Sequence, residues 1–338
     1  MSLLQLPPET LAQIFDDIGS SFFREDLSRL TVCKQWFEFA LPACFKCITL
    51  SPETLRNLVS SGITKRHPPL RGSLEILDLE LCGYHSYIST LRERNADVQE
   101  SSGHVSFETW RGILNNDLTQ LANMAQQSPR LHTLRIRACQ YVSAATHDRH
   151  IDDLSLPAIR AFLSVENLSV LVLDLSIRSL YTSADQGNDL HICPAIGALL
   201  RTLRTLHLRM RSICPDVLKL EHPSDRLRLS VVAINLSQPP THSRPYEMPS
   251  LTCGYGAGRL LQLKADLREQ AEALILRMAH PRIIRILTLS LPLLERQSLD
   301  VLTGKTMVLD DDVAWDEDGR ELQEDSEPES EISSLSDD

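Results

Sequence analysis

The chain has 338 residues, of which 42% are hydrophobic and 23% charged, as expected for a globular protein with a sizeable core. Its formal net charge of -11 comes from one end, because residues 310–338 hold 14 acidic side chains against a single arginine. The other 309 residues carry 33 basic and 31 acidic groups, which argues against the concentrated basic face of nucleic-acid-binding proteins. No stretch approaches the roughly 18 consecutive apolar residues of a membrane span, so no membrane association is expected.

Two further features bear on the compartment. The opening residues lack a basic stretch and are interrupted by Glu9, which argues against a secretory signal peptide. The eight cysteines are scattered over more than 200 residues, a pattern that favours reduced thiols over a disulfide framework. We therefore expect a cytoplasmic or nuclear protein whose cysteines act as small buried hydrophobic residues.

The first predicted element is an amphipathic helix. Its apolar residues recur at i, i+3, i+4 and i+7: Leu11, Ile14, Phe15 and Ile18. Pro7 and Pro8 are suited to its entry, and Gly19 is expected to end it. A second helical stretch is predicted from Asp26, a residue type favoured as an N-cap.

The second helical stretch has apolar residues on two faces rather than one. The first face contains Leu27, Leu30, Phe37 and Ala40, and the second contains Val32, Trp36 and Phe39. About fifty residues bury too little surface to satisfy both faces internally. One face should therefore form the internal core, and the other should meet the following domain or another protein.

Between residues 51 and 309 the spacing L-x-x-L-x-L recurs six times. The copies are Leu74-Leu77-Leu79, Leu131-Leu134-Ile136, Leu168-Leu171-Leu173, Leu203-Leu206-Leu208 and, more loosely, Leu229-Val232-Ile234 and Ile284-Leu287-Leu289. The period-2 ending predicts short strands, and helical stretches precede several copies, so parallel strands with helices outside them are expected. The spacing is similar to that of irregular leucine-rich repeats, which predicts an α/β solenoid. A plain α/β sandwich with coincidental leucine spacing is the alternative.

Residues 4–50 resemble the F-box, and the whole chain resembles fungal-type F-box proteins with a C-terminal degenerate leucine-rich array. The matching motifs are L-P-x-E (from Leu6), Asp26-Leu27, V-C-K-x-W (from Val32) and A-x-P-x-x-F-x-x-I (from Ala40). The resemblance implies docking to the Skp adaptor of Skp–cullin–F-box ubiquitin ligases, and through it to cullin. By matching position, the docking surface or its support comprises Leu6, Pro7, Ile14, Leu27, Val32, Cys33 and Trp36. A helical cap that merely seals the repeats is the alternative.

The residues between the inward leucines should lie on the open face of the sheet, where their charge alternates from copy to copy. The basic ones are candidates for binding an acidic or phosphorylated segment of a protein substrate: Arg135, Arg137, His207 and Arg209. A solvated face without a ligand is the alternative.

No catalytic, cofactor or metal site is expected. The stretch 302–306 ends like a phosphate-binding loop, but Leu299 stands where that loop requires glycine. Cys44 and Cys47 have zinc-like spacing without a second pair nearby, and His147 and His150 lie in a polar loop.

The sequence thus predicts an α/β protein with a three-helix F-box over residues 1–50. A leucine-rich-repeat-like substrate-recognition domain follows over residues 51–309, then a disordered acidic tail over residues 310–338. The expected function is non-enzymatic: a substrate adaptor of a ubiquitin ligase, with an unspecified protein substrate. A scaffold that uses the same parts outside any ligase is the alternative.

Overall fold

The computed structural model describes residues 6–62, 72–81, 106–138, 154–175, 180–181, 191–220, 226–238, 248–253, 260–290, 295–310 and 313–321. Its helices are α1 (Pro8–Glu25), α2 (Lys34–Phe45), α3 (Pro52–Ser60), α4 (Phe107–Gln126), α5 (Leu156–Leu163), α6 (Cys193–Leu199) and α7 (Leu260–Ile275), with 3₁₀ turns at Leu27–Leu30 and Pro215–Leu218. The longer strands are β1 (Cys47–Leu50), β2 (Ile76–Glu80), β3 (Thr133–Arg137), β5 (Val170–Leu175), β7 (Thr205–Met210), β9 (Val231–Asn235), β13 (Ile283–Ser290), β14 (Glu295–Asp300) and β15 (Thr306–Leu309). Two-residue strands are β4 (Leu154–Ser155), β6 (Leu180–Tyr181), β8 (Ser212–Ile213), β10 (Ser237–Gln238), β11 (Met248–Pro249), β12 (Leu251–Thr252) and β16 (Arg320–Glu321).

One ten-stranded sheet dominates the fold. Its strand order is β1-β2-β3-β5-β7-β9-β13-β14-β15-β16. The pairs from β1 to β13 are parallel, and β13 to β16 form an antiparallel meander. Smaller ladders join β4 to β6, β8 to β12 and β10 to β11.

The parallel strands are in register, so their leucines form rows across the sheet. One row is Leu77, Leu134, Leu171, Leu206, Val232 and Ile284, and the next is Leu79, Ile136, Leu173, Leu208, Ile234 and Ile286. All of these side chains are 1% exposed or less and belong to the main core. Each such burial contributes about 1.5–3 kcal/mol, so the rows are a principal source of the sheet's stability.

The mixed α/β class and the parallel strands are confirmed, but the solenoid prediction is corrected. The chain builds one continuous sheet that ends in an antiparallel meander, rather than a stack of similar coils. The predicted core positions are correct for the first five copies of the L-x-x-L-x-L spacing. In the sixth copy, Ile284 and Ile286 occupy the core rows instead of the predicted Leu287 and Leu289. Leu287 is buried too, because both faces of β13 are covered, and period-2 alternation therefore disappears there.

The residues from α1 to α2 form a helical unit with its own core. The core residues are Leu11, Phe15, Phe23, Leu30, Ala40, Ala43 and Cys44. Gly19, at φ 82°, kinks α1 where an end was predicted, but the helix resumes and reaches Glu25. Asp26 is a cap as predicted, although it caps the 3₁₀ turn by accepting from the Ser28 amide at 2.9 Å.

The helical unit joins the sheet without a linker. Lys46 alone separates α2 from β1, and Ile48 and Leu50 of β1 already belong to the main core. The sheet therefore begins inside the segment predicted as the first domain. Lys46 Nζ lies 3.2 Å from Asp16 Oδ2 of α1 and 3.6 Å from Glu75 Oε2 beside β2, which ties the two parts together.

Candidate functional site

The predicted docking residues divide into an outer and an inner group. Leu27 is the first residue of the first 3₁₀ turn, Val32 follows the turn, and the two are 63% and 65% exposed. Pro7 is also exposed, directly before α1. Leu6 packs against the helical core, and Ile14 is half-buried. Only the outer group is available for a partner without rearrangement.

Trp36 belongs to the inner group. Its ring meets Phe15 edge-on with centroids 4.6 Å apart, and its indole Nε1 donates to the Arg29 carbonyl at 2.6 Å. Cys33 caps α2, because its Sγ accepts from the Trp36 amide at 3.4 Å. These two residues therefore support the unit from within, since their polar and ring atoms are used by intramolecular contacts.

The exposed apolar side chains are concentrated in the helical unit. Among the described residues, seven large apolar side chains are exposed, and five of them define what we call the N-terminal apolar surface: Ile18, Phe22, Leu27, Val32 and Phe37. The other two are Leu261 and Leu276, each 84% exposed. Helical periodicity had placed Ile18 on the inner face and gave no role to Phe22. The kink at Gly19 turns the chain between these two residues, which explains why a single helical wheel misassigns them.

The open face of the sheet carries charged side chains that pair across neighbouring strands. Arg135 Nη1 lies 4.0 Å from Asp78 Oδ2. Arg209 binds Asp174 through two contacts, Nε to Oδ1 at 2.9 Å and Nη2 to Oδ2 at 2.5 Å. A bidentate pair of this kind is the stronger form of such contacts. The predicted alternation of charge therefore appears as internal ion pairs between adjacent strands.

Arg137 completes the set of predicted basic residues. Its Nη1 lies 3.4 Å from Glu80 Oε1, at a more exposed position of the same face. Arg137 and Arg209 lie in one row of the sheet with Asp174 between them, and Arg135 and His207 lie in the adjacent row. The sheet thus brings the four predicted substrate-binding residues together on one face.

Part of this face is occupied by the chain's own acidic segment. Residues 313–319, the covering segment, were expected to be disordered but lie across β7 and β13. The Trp315 ring lies 5.0 Å from Arg209 Cζ and 6.3 Å from the His207 ring. Asp316 Oδ2 is 3.7 Å from His207 Nε2. Residues 322–338 of the predicted tail lie outside the described residues.

The far end of the covering segment is held at two places. Arg285 of β13 is almost fully buried and donates to the Glu317 carbonyl and the Asp318 carboxylate. Gly319 follows, where an added Cβ would come within 2.2 Å of the Val308 carbonyl oxygen, so only glycine allows this approach. Strand β16 then pairs with β15 and returns the chain to the sheet.

His207 lies beneath the covering segment. Burial lowers the pKa of its imidazole, the Asp316 carboxylate acts in the opposite direction, and Arg135 lowers it further. Its Nε2 is buried without a hydrogen bond. The neutral ring is therefore the favoured form while the segment is in place.

A third arrangement joins residues that sequence reasoning had not connected. The side chains of His191, Cys193, Cys214 and Cys253 place their ligand atoms within 4.8 Å of one another. Hydrogen bonds from Cys193 and Cys253 lower the pKa of the Cys214 thiol, and the Asp216 Oδ2 lies 3.7 Å from its Sγ. Of this group, only His191 and Cys193 are close enough in sequence to suggest a shared site. Cys214 and Cys253 are distant from them along the chain.

The motifs set aside at the sequence level have ordinary structures where they are described. The carboxylate of Asp300 binds the amide of Leu302 and the hydroxyl of Thr303, each at 2.9 Å, so the turn at 302–304 is filled by its own carboxylate. Cys44 is buried in the helical core, and Cys47 lies in β1. His147 and His150 lie outside the described residues.

No protein-family model matches the chain, and no curated protein matches it either. Within the described ranges, no helix combines the length and apolar character needed to cross a membrane.

Proposed function

We propose that the protein is a substrate-recognition subunit of a Skp–cullin–F-box ubiquitin ligase. In this proposal the helical unit binds the Skp adaptor and the open sheet face binds a protein substrate. The supporting observation is the N-terminal apolar surface, which concentrates exposed large side chains on a unit that already has a closed core.

Folding of the helical unit leaves several of its large apolar side chains exposed. The seven-residue core of the helical unit is buried without help from Leu27, Val32 or Phe37. Full burial of a side chain of this kind contributes about 1.5–3 kcal/mol, so a partner that covers several of them gains substantial affinity. A helical cap that only sealed the sheet would instead turn these side chains toward it.

The test is co-purification of the full chain with a Skp adaptor. Leu27→Asp combined with Val32→Asp should abolish binding while the circular dichroism spectrum and melting temperature stay at wild-type values. Leu261→Asp is the matched control, because Leu261 is equally apolar and even more exposed, on α7. Equal binding by the double variant and the wild type would refute the assignment of this surface.

A second measurement separates the ligase from a scaffold that uses the same docking unit. Cullin should be present in the complex isolated with the wild-type chain and absent from that of the double variant. Adaptor without cullin in the wild-type complex would favour the scaffold.

The substrate class follows from the segment that already covers the face. Trp315, Asp316 and Asp318 contact His207, Arg209 and Arg285, so the face accommodates an acidic stretch with an aromatic side chain. Arg135, Arg137 and Arg209 are also paired with acids of the sheet, which means that a substrate gains little from their charge alone. We therefore propose acidic, aromatic-containing protein segments as substrates, which bind by displacing the covering segment.

A further inference from the structure

We infer that His191, Cys193, Cys214 and Cys253 form a structural zinc site. The inference is independent of the ligase proposal, because it concerns the integrity of the sheet's connections. Three thiols and one imidazole are a complete ligand set for tetrahedral zinc.

Two of the separations match those of a common tetrahedral centre, and all four ligand atoms lie within 4.8 Å of one another. Cys193 Sγ and Cys253 Sγ are 3.8 Å apart, and Cys214 Sγ and His191 Nδ1 are 3.7 Å apart. Zinc bonds of about 2.3 Å to sulfur and 2.0–2.1 Å to nitrogen place two sulfurs about 3.8 Å apart and a sulfur and nitrogen about 3.6 Å apart. A disulfide would require about 2.05 Å between sulfurs. The four atoms therefore fit one shared ion better than a covalent pair.

Backbone structure brings the ligands together from three segments. Strands β8 and β12 pair in parallel with Ile213 opposite Thr252, so the following residues, Cys214 and Cys253, emerge side by side. The Cys253 amide donates to the Ile213 carbonyl at 3.2 Å and extends this register to the ligand itself. The placement of these two sulfurs is thus determined by main-chain pairing.

The third segment is held just as closely. Arg160 Nη2 donates to the His191 carbonyl at 3.1 Å, which orients the residue that precedes α6. At Gly197 of α6 an added Cβ would lie 2.6 Å from the Asp216 carbonyl oxygen, so glycine permits the helix to contact the second 3₁₀ turn. This close approach brings Cys193 to Cys214.

Burial and ligand chemistry favour zinc as the occupant. Cys193 and Cys214 are buried, so their thiolate forms would be poorly solvated there unless a cation neutralised them. A tetrahedral set of soft thiolates with one imidazole suits zinc, whereas magnesium and calcium require oxygen ligands. The ion would clamp the connections around β8, α6 and β12 into one unit.

The experiment measures metal in the full chain, purified without a histidine tag under reducing conditions. Elemental analysis should give about one zinc per chain, and Cys253→Ser should reduce it to below about a tenth. Cys47→Ser is the matched control, since Cys47 is another half-buried thiol outside the cluster, and it should retain the metal. Zinc in Cys253→Ser at the wild-type level would overturn the inference.

A second readout keeps the test decisive if Cys253→Ser does not fold. Wild-type protein treated with a chelator and then loaded with Co²⁺ should develop the thiolate charge-transfer and tetrahedral ligand-field bands, and a lowered melting temperature should be restored by zinc. Absence of both bands and zinc, with Cys193, Cys214 and Cys253 titratable or oxidised instead, contradicts the site.

Discussion

The helical unit and the sheet differ in how far they bury their large apolar side chains. The unit leaves large apolar residues such as Leu27 and Val32 in solvent, while the sheet buries its leucine rows almost completely. Conversely, the charged residues of the sheet face are paired internally, as in Arg209 with Asp174. This difference indicates how each part would bind a partner. The helical unit would gain binding energy by burying its exposed apolar surface, whereas the sheet face would have to exchange its present ion pairs for contacts with the partner.

The largest effect is expected in the sheet core. Leu208→Ala removes a fully buried side chain from a leucine row and should lower the free energy of unfolding by about 2–5 kcal/mol. Leu27→Ala, at an exposed position of the helical unit, should change it by less than about 0.5 kcal/mol. Chemical denaturation measures both, and similar losses for the two variants would break the comparison.

A somewhat smaller loss is expected at Trp36. Trp36→Ala removes the contact with Phe15 and should destabilise the helical unit by about 3 kcal/mol, so that adaptor binding is lost through unfolding. Trp36→Phe keeps a ring but loses the hydrogen bond to the Arg29 carbonyl, a loss of about 1 kcal/mol. Hydrogen-exchange rates of the backbone amides in α1 and α2 distinguish the alanine variant from the phenylalanine variant. Wild-type exchange protection in the alanine variant would mean that Trp36 is not part of the core.

The covering segment gives a third, more modest effect. Trp315→Ala removes the ring over Arg209, a contact of about 0.5–2 kcal/mol, and should let a labelled peptide with the sequence of residues 313–321 bind several-fold more tightly. Glu317→Ala is the control, because its carbonyl, not its carboxylate, contacts Arg285. Fluorescence anisotropy follows binding, and equal affinities for all three proteins would argue against displacement.

The smallest effect concerns pH. Because burial lowers the pKa of His207 in the covered state, the uncovered state binds more protons, and acidification favours release of the segment. Asp316 opposes this shift, while Arg135 supports it.

Release of the covering segment should appear as faster hydrogen exchange in residues 313–321 as the pH falls from about 7.5 to 5.5, after correction for intrinsic exchange. His207→Asn should flatten the profile. A segment that became better protected in acid would show that the Asp316 attraction outweighs burial.

The parts of the fold that were predictable share one physical property: a single covered face. Leu77 and Leu79 alternate with polar residues because only one side of β2 packs on helices, so period-2 spacing identified them. On β13 both sides are covered, and Ile286 and Leu287 are both buried. The spacing of apolar residues therefore no longer shows which of them belong to the core rows.

The site was less predictable because it depends on turns and long-range pairing. Trp36 and Leu27 were assigned to one docking set, yet Trp36 packs against the helical core, whereas Leu27, the first residue of the 3₁₀ turn, is exposed. The contact of Trp315 with Arg209 joins residues more than a hundred positions apart. Likewise, Cys253 reaches Cys214 only through the pairing of β8 with β12, which no local motif encodes.

If the chain is the ligase subunit proposed above, the single residue between α2 and β1 has a geometric consequence. With Lys46 bound to acids on both sides and no linker after α2, α1 and α2 are coupled to the sheet, and the proposed adaptor surface and substrate face would keep one relative orientation. A bound substrate would be presented along one constant direction, so only lysines within a limited arc would meet the incoming ubiquitin. Inserting a flexible spacer after Phe45 would widen that arc and change which lysines are modified.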